Sequence, residues 1–376
     1  MGMLPDKPGQ SGAGTVLVYS ARKHEPEHEK AVHFKLGARI AKVLNMDFGG
    51  VYDPACRYDG PLYTIPTSTL IGTDIARELG IQSTGNLYGG LAPFAFVPTK
   101  AITHALLHAN AHAPSGWSHG FAREVHNSVL AGTTVFTPED AREAGQRLLQ
   151  HGPIRIKPVL ATAGRDQQVV SSLSELIHAL EGQDQASLSQ YGLVLEENLN
   201  DVQTFSVGQV HIGKMMASYV GTQCLTADNN GDMVYGGSDL LVVRGDFNQL
   251  LHQDLSMDFQ TAIAKAQVYD QAALRSFPGL IASRRNYDIA RGTNSEGQPR
   301  CGVLEQSWRI GGASAAEIAA IQAFHADGQL QAVRARTTEI FGDQENLPAA
   351  AETLFSGTDP TLGQLSKYVQ VQPYGH

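Results

Sequence analysis

A carboxylate and a hydroxyl two residues apart, then an arginine and two glycines, occur in one short stretch: Gly302-Val303-Leu304-Glu305-Gln306-Ser307-Trp308-Arg309-Ile310-Gly311-Gly312. On a β-strand, side chains alternate between faces. Val303, Glu305 and Ser307 are therefore expected on one face, with Leu304, Gln306 and Trp308 on the other. Oxygen donors on one face suit a hard divalent cation. The guanidinium that follows suits an anion, and the Gly-Gly turn leaves backbone amides bare beside it.

With 376 residues and 42% hydrophobic composition, the chain is long enough for two or three packed units. A net charge of -9 without any basic stripe argues against nucleic acid as a partner. Cys56, Cys224 and Cys301 share no ligand-like spacing and read as free thiols of a reducing compartment. The stretch 1–14 is rich in Gly, Pro and Ser, is expected to be flexible, and lacks a charged-then-apolar leader pattern. No run reaches the roughly 18 apolar residues a bilayer demands. The expectation is a cytoplasmic protein with no membrane partner and a possible homodimer.

Thr15 to Ser20 reads as a buried first strand, followed by a helix over Glu25 to Leu44 with Phe34, Leu36 and Ile40 on its apolar face. Possible strands at 50–52 and 62–65, then a helix capped by Thr73 and stopped at Gly80, complete an α/β lobe over 15–97. Lys100 is expected to open a helix through Ala111, which would stack His104, His108 and His112 on one face. Neutral histidines on a helix face are common, so a metal role for that ladder is not favoured. Thr137 should cap a helix starting at Pro138. Pro153 to Pro158 is a strand with Ile154 and Ile156 facing the core and Arg155 and Lys157 facing the other way. Ser172 or Ser174 caps the next helix. Tyr191 to Leu199 is an apolar strand ending in acids. Runs over 204–244 alternate as antiparallel strands, with a turn expected at Tyr235 to Asp239. Gln249 to Phe277 and Ser314 to Phe324 are helical in period. The tail 343–376 shows no clear structure.

Taken together, Lys100, Lys157, the run Leu195-Glu196-Glu197-Asn198-Leu199, Asp288 and Glu305-x-Ser307-x-Arg309 resemble the ATP-grasp superfamily. Phe96 to His104 and the two acidic motifs also look like a bacterial ATP-grasp-like family of unknown function. The resemblance implies an N-terminal α/β lobe (15–97), a small α+β lid (98–190) and a C-terminal antiparallel-sheet lobe (191–342). It implies ATP and Mg²⁺ as cofactors. Lys100 and Lys157 would contact phosphates, and Ala161 to Gln168 would be the loop over them. Glu196 would take the adenine amino group, with Glu197 and Leu199 meeting adenine through their backbone. Gln203 would meet the ribose, with Asp201 as competitor. Asp288, Glu305 and Ser307 would hold the metal. Arg309, and one of Arg284 and Arg285, would attend the transferred phosphoryl group. The activity implied is an ADP-forming carboxylate-amine or carboxylate-thiol ligase working through an acyl phosphate on a small or peptide-like substrate. The alternatives are a kinase acting on a hydroxyl, or a nucleotide-binding regulatory protein without turnover.

Overall fold

The computed structural model describes residues 14–22, 24–160, 167–342 and 350–374. All of the expected phosphate-covering loop except Gln167 and Gln168 lies outside them, as does the stretch 1–13.

The first lobe is a three-stranded parallel sheet in the order Asp47–Val51, Thr15–Tyr19, Leu62–Pro66. Val16 and Leu17 are fully buried at its centre, and the helix Glu27–Leu44 crosses it with Leu36 and Ile40 inward. Phe34, expected on that inner face, stays half exposed against Phe48. A short helix, Thr73–Glu78, follows, with Gly72 rather than Thr73 as its N-cap. Gly90–Ala92 then pairs with both Leu70–Ile71 and Ile281–Ala282, tying this lobe to the C-terminal one. A side chain at Gly90 would meet the Trp308 carbonyl at 2.9 Å, so the approach of the two segments depends on glycine.

The lid is a four-stranded antiparallel sheet in the order Gly132–Val135, Leu193–Glu197, Ile154–Pro158, Gln168–Val170. The strand ending in Glu196 and Glu197 thus belongs to the lid sheet, not to the start of the C-terminal lobe. Ile154, Ile156, Leu176 and Leu195 fill the core beneath the helices Pro138–Leu148 and Leu173–Glu181. Thr137 and Ser172 cap those helices by accepting from Asp140 N and Glu175 N.

No helix forms over 101–111. Lys100–Thr103 is a single 3-10 turn, and the chain is irregular from His104 to Ser118. Tertiary pairing overrides local propensity here. Gln306 Nε2 donates to the Val97 and Thr99 carbonyls (2.8 Å each), and His104 is drawn to Glu196. Consequently the histidine ladder does not exist: His104 is buried, while His108 and His112 are exposed.

The C-terminal lobe is an eight-stranded antiparallel sheet. Its order is Pro299–Ser307, Arg284–Thr293, Asn200–Ile212, Met215–Ala227, Met233–Arg244, Ala332–Phe341, Gly363–Pro373, Glu352–Asp359. The helix Met257–Ser276 packs on one face through Ala262, Ile263, Ala266 and Tyr269. The helices Ser314–Ala326 and Glu27–Leu44 cover the other. The tail read as structureless therefore supplies two of the eight strands, burying Leu354, Leu365 and Val369. Tyr235 to Asp239, expected as a turn, lies within the strand Met233–Arg244. No described helix is long and apolar enough to cross a membrane.

Candidate active site

The hairpin made by Arg284–Thr293 and Pro299–Ser307 brings the predicted acids together. Asp288 is the cross-strand partner of Glu305, and Asn286 of Ser307. Just beyond Asp288 lies a bulge: Ile289 pairs with Val303, leaving Leu304 extra. That bulge corrects the expected alternation. Val303 joins the core below the sheet beside Ile289, whereas Glu305 and Ser307 share the opposite face with Asp288. The long separation of Asp288 and Glu305 is absorbed by extending both strands, with the turn at 294–298.

Asp288 Oδ1 accepts from Gln223 Nε2 (2.8 Å) and Asn286 Nδ2 (3.1 Å). Burial, reinforced by the Glu305 carboxylate, pushes its acid up to about 6. Glu305 lies 3.2 Å from the Lys100 ammonium, which is itself only 4% exposed. The turn that carries Lys100 runs on to His104, whose Nε2 is 3.0 Å from Glu196 Oε2. Lys157 donates to the other Glu196 oxygen. Burial alone would raise the Glu196 carboxyl, but the Lys157 ammonium and the His104 hydrogen bond hold it at about 2. The 100–104 segment therefore joins two acid–lysine pairs, Glu305–Lys100 on the large sheet and Glu196–Lys157 on the lid, at one junction.

The remaining predicted residues are distributed unevenly around this junction. The Glu196 carboxylate is enclosed by Lys157 and His104 rather than open at a strand end. Glu197 Oε1 accepts from Ala131 N and Arg300 Nε, and Leu199 is buried against Leu130 and Ala290. Gln203 and Asp201 are exposed where the sheet register slips, with Asp201 at φ 50. Arg285 leaves the site altogether. It projects to the opposite face of the sheet, ion-paired with Asp270 at 3.2 Å and bonded to Gln209. Successive strand residues must diverge, so only Arg284 of the pair shares the Asp288 face. Arg309 is partly buried. Its described hydrogen bond runs from Nη1 to the Ile310 carbonyl (2.9 Å), and among the described residues no carboxylate lies in salt-bridge range. Burial and the nearby Arg284 and Arg22 guanidinia lower its pKa, only partly offset by the Glu29 and Glu305 carboxylates, so an anion arriving there would favour the charged form. Gly312 admits the Tyr235 ring beside this turn, since a Cβ there would lie 2.7 Å from it.

Sequence reasoning missed Gln223 and Asn286, which orient Asp288, and Glu317, which meets Arg284. Asn286 reaches Asp288 by simple alternation along one strand, whereas Gln223 is brought to it by the sheet, and Glu317 is brought to Arg284 by the helix packed on the sheet.

The sequence matches the model of one family over residues 16–369, a family described as a protein of unknown function (DUF3182). A search of the curated proteins returns no match. Among solved structures, the biotin carboxylase–β-γ-ATP complex from Campylobacter jejuni aligns with 96% of this chain and 87% of its own, at a TM-score of 0.53 and 9% identity. Phosphoribosylamine–glycine ligase from Thermotoga maritima aligns with 96% of this chain and 92% of its own, at a TM-score of 0.50 and 13% identity.

Proposed function

On the premise that this chain belongs to the DUF3182 family and carries the ATP-grasp fold, we propose that it is an ATP- and Mg²⁺-dependent, ADP-forming ligase. It would join a small-molecule carboxylate to an amine or thiol. The observation that carries this reading is the facing pair Asp288 and Glu305, with Lys100 on one of the acids and Lys157 one segment away.

The donor set suits Mg²⁺. Asp288, Glu305 and the Ser307 hydroxyl present hard oxygens on one face, and the raised Asp288 pKa marks a pair of acids short of positive charge. Bound there, the ion would neutralise charge on the polyphosphate. Lys157 and Lys100 carry point charges on multi-rotamer stems and would exchange part of their carboxylate contact for α- and β-phosphate oxygens. Glu197 and Leu199 would meet adenine through backbone groups, although the Glu197 N–H already donates to the Ala131 carbonyl, and Gln203 would meet the ribose. The substrate carboxylate attacks the γ-phosphorus as the bond to ADP breaks. The amine or thiol then attacks the acyl carbon and phosphate departs, its proton passing to solvent or phosphate. Arg309 would steady the acyl phosphate. Arg285 takes no part.

The test is incubation with ATP, Mg²⁺ and pooled metabolites. Release of ADP and free phosphate together with a condensed product supports the ligase. A stable phosphorylated compound without free phosphate would establish a kinase instead, and nucleotide binding without turnover a regulatory protein.

A further inference from the structure

Arg284 and Glu317 form a wholly enclosed ion pair that the reaction above does not use. Arg284 is 2% exposed on its strand, and Glu317 is fully buried on the helix Ser314–Ala326. The Arg284 Nη2 to Glu317 Oε1 distance is 2.7 Å, and Nε donates to both carboxylate oxygens at 3.2 and 3.1 Å. Glu317 also accepts from Tyr88 (2.5 Å) and from Tyr219 (2.7 Å). The third nitrogen, Nη1, points away from the carboxylate. It donates to the Ser307 carbonyl (3.1 Å), the Ser307 hydroxyl (3.2 Å) and the Arg309 carbonyl (2.8 Å).

Strand pairing ends at Asn286 and Ser307, so no ladder fixes the backbone beyond that point. Arg284 grips the carbonyls of residues 307 and 309, and Thr69 donates to the one between them, on Trp308 (3.1 Å). The segment that aims Ser307 and Arg309 is therefore held by side chains. A guanidinium this near a cation site would repel the ion, and Glu317 cancels that charge from behind. The two tyrosines complete the Glu317 shell, and Tyr219 also lies 2.9 Å from Asn286 Oδ1, whose amide orients Asp288. Packing alone would not call for such a group, because a buried ion pair stabilises no better than apolar residues of the same volume.

We propose that Arg284 and Glu317 are positioning residues that set the geometry and local charge of the cation site and of Arg309. This rests on the reading that Asp288, Glu305 and Ser307 hold the divalent ion.

The experiment uses the full chain, Mn²⁺ as the probe ion and a non-hydrolysable ATP analogue. Free Mn²⁺ is read by electron paramagnetic resonance, and analogue binding is measured separately without metal. Arg284→Lys keeps the charge and loses the fork; Glu317→Gln keeps the shape and loses the counter-charge. Both should weaken Mn²⁺ binding about 10- to 100-fold, the range for groups that orient metal ligands. Metal-free analogue binding should stay within about threefold. In Arg284→Ala, millimolar guanidinium should restore part of the Mn²⁺ affinity. The double replacement Arg284→Met with Glu317→Leu leaves no lone charge, and should show the same loss if a single variant fails to fold. Mn²⁺ affinity within about threefold of wild type in these variants overturns the proposal. Wild type that binds the analogue but no Mn²⁺ overturns the cation-site reading beneath it.

Discussion

Replacing Asp288 by Asn should make the metal-free protein more stable while removing the activity proposed for it. The Asp288 acid is pushed from 3.8 to about 6 by burial and by Glu305. Two units at about 1.4 kcal/mol each correspond to about 3 kcal/mol of penalty on the ionised form. The folded state holds this proton more tightly than the unfolded chain does. The penalty is therefore full above pH 6, shrinks as pH falls towards 4, and is absent below both values. Asn retains the Oδ1 that accepts from Gln223 and Asn286, and turns an amide towards Glu305 where a second acid stood. Urea unfolding in a chelating buffer at pH 7.5 should show Asp288→Asn more stable by about 2–3 kcal/mol, with the gap nearly closed at pH 4. Addition of Mg²⁺ and ATP analogue should reverse the order, because a ligand stabilises only the state that binds it. A variant less stable than wild type at pH 7.5, or a gap that does not change with pH, refutes the argument that the two acids are held in opposition until a cation arrives.

Glu305→Ala should abolish Mg²⁺-dependent ATP turnover, by at least about 100-fold, with the circular-dichroism spectrum unchanged. Because Asp288 must lose its proton to take a cation, apparent Mg²⁺ affinity should fall as pH drops below 6, by up to about tenfold per unit, in a titration with ATP analogue present. Lys157→Met leaves the enclosed Glu196 carboxylate with His104 alone, and should cost about 3 kcal/mol in urea unfolding at pH 7.5 as well as nucleotide affinity. Ending the chain at Gly342 should yield insoluble protein, since Leu354, Leu365 and Val369 each contribute about 2 kcal/mol of burial in the large sheet.

Residue type along the strand and at element starts singled out Asp288, Glu305, Lys100 and Lys157, and the fold brings these acids and lysines to one junction. Adjacency along the strand also placed Glu305 and Ser307 on one face correctly. Alternation failed at Val303, because a bulge at Leu304 depends on the partner strand and leaves no local mark. Alternation counted back from Asp288 does separate Arg284 from Arg285, because a residue four positions before the acid on the same strand shares its face. The histidine ladder was a sound helical reading of 101–112, undone by Glu196 and Gln306 from distant strands.

Local sequence alone determined the parallel first lobe, the capped lid helices and the identity of the acids and lysines, since caps, period and charge act over a few residues. Only the tertiary structure decided that Glu196 is enclosed by Lys157 and His104, that Arg285 serves the core, and that the tail completes the large sheet. Those outcomes turn on pairing between segments up to hundreds of residues apart. Their free energy comes from burying charges with partners and closing strand edges, neither of which a single stretch can supply.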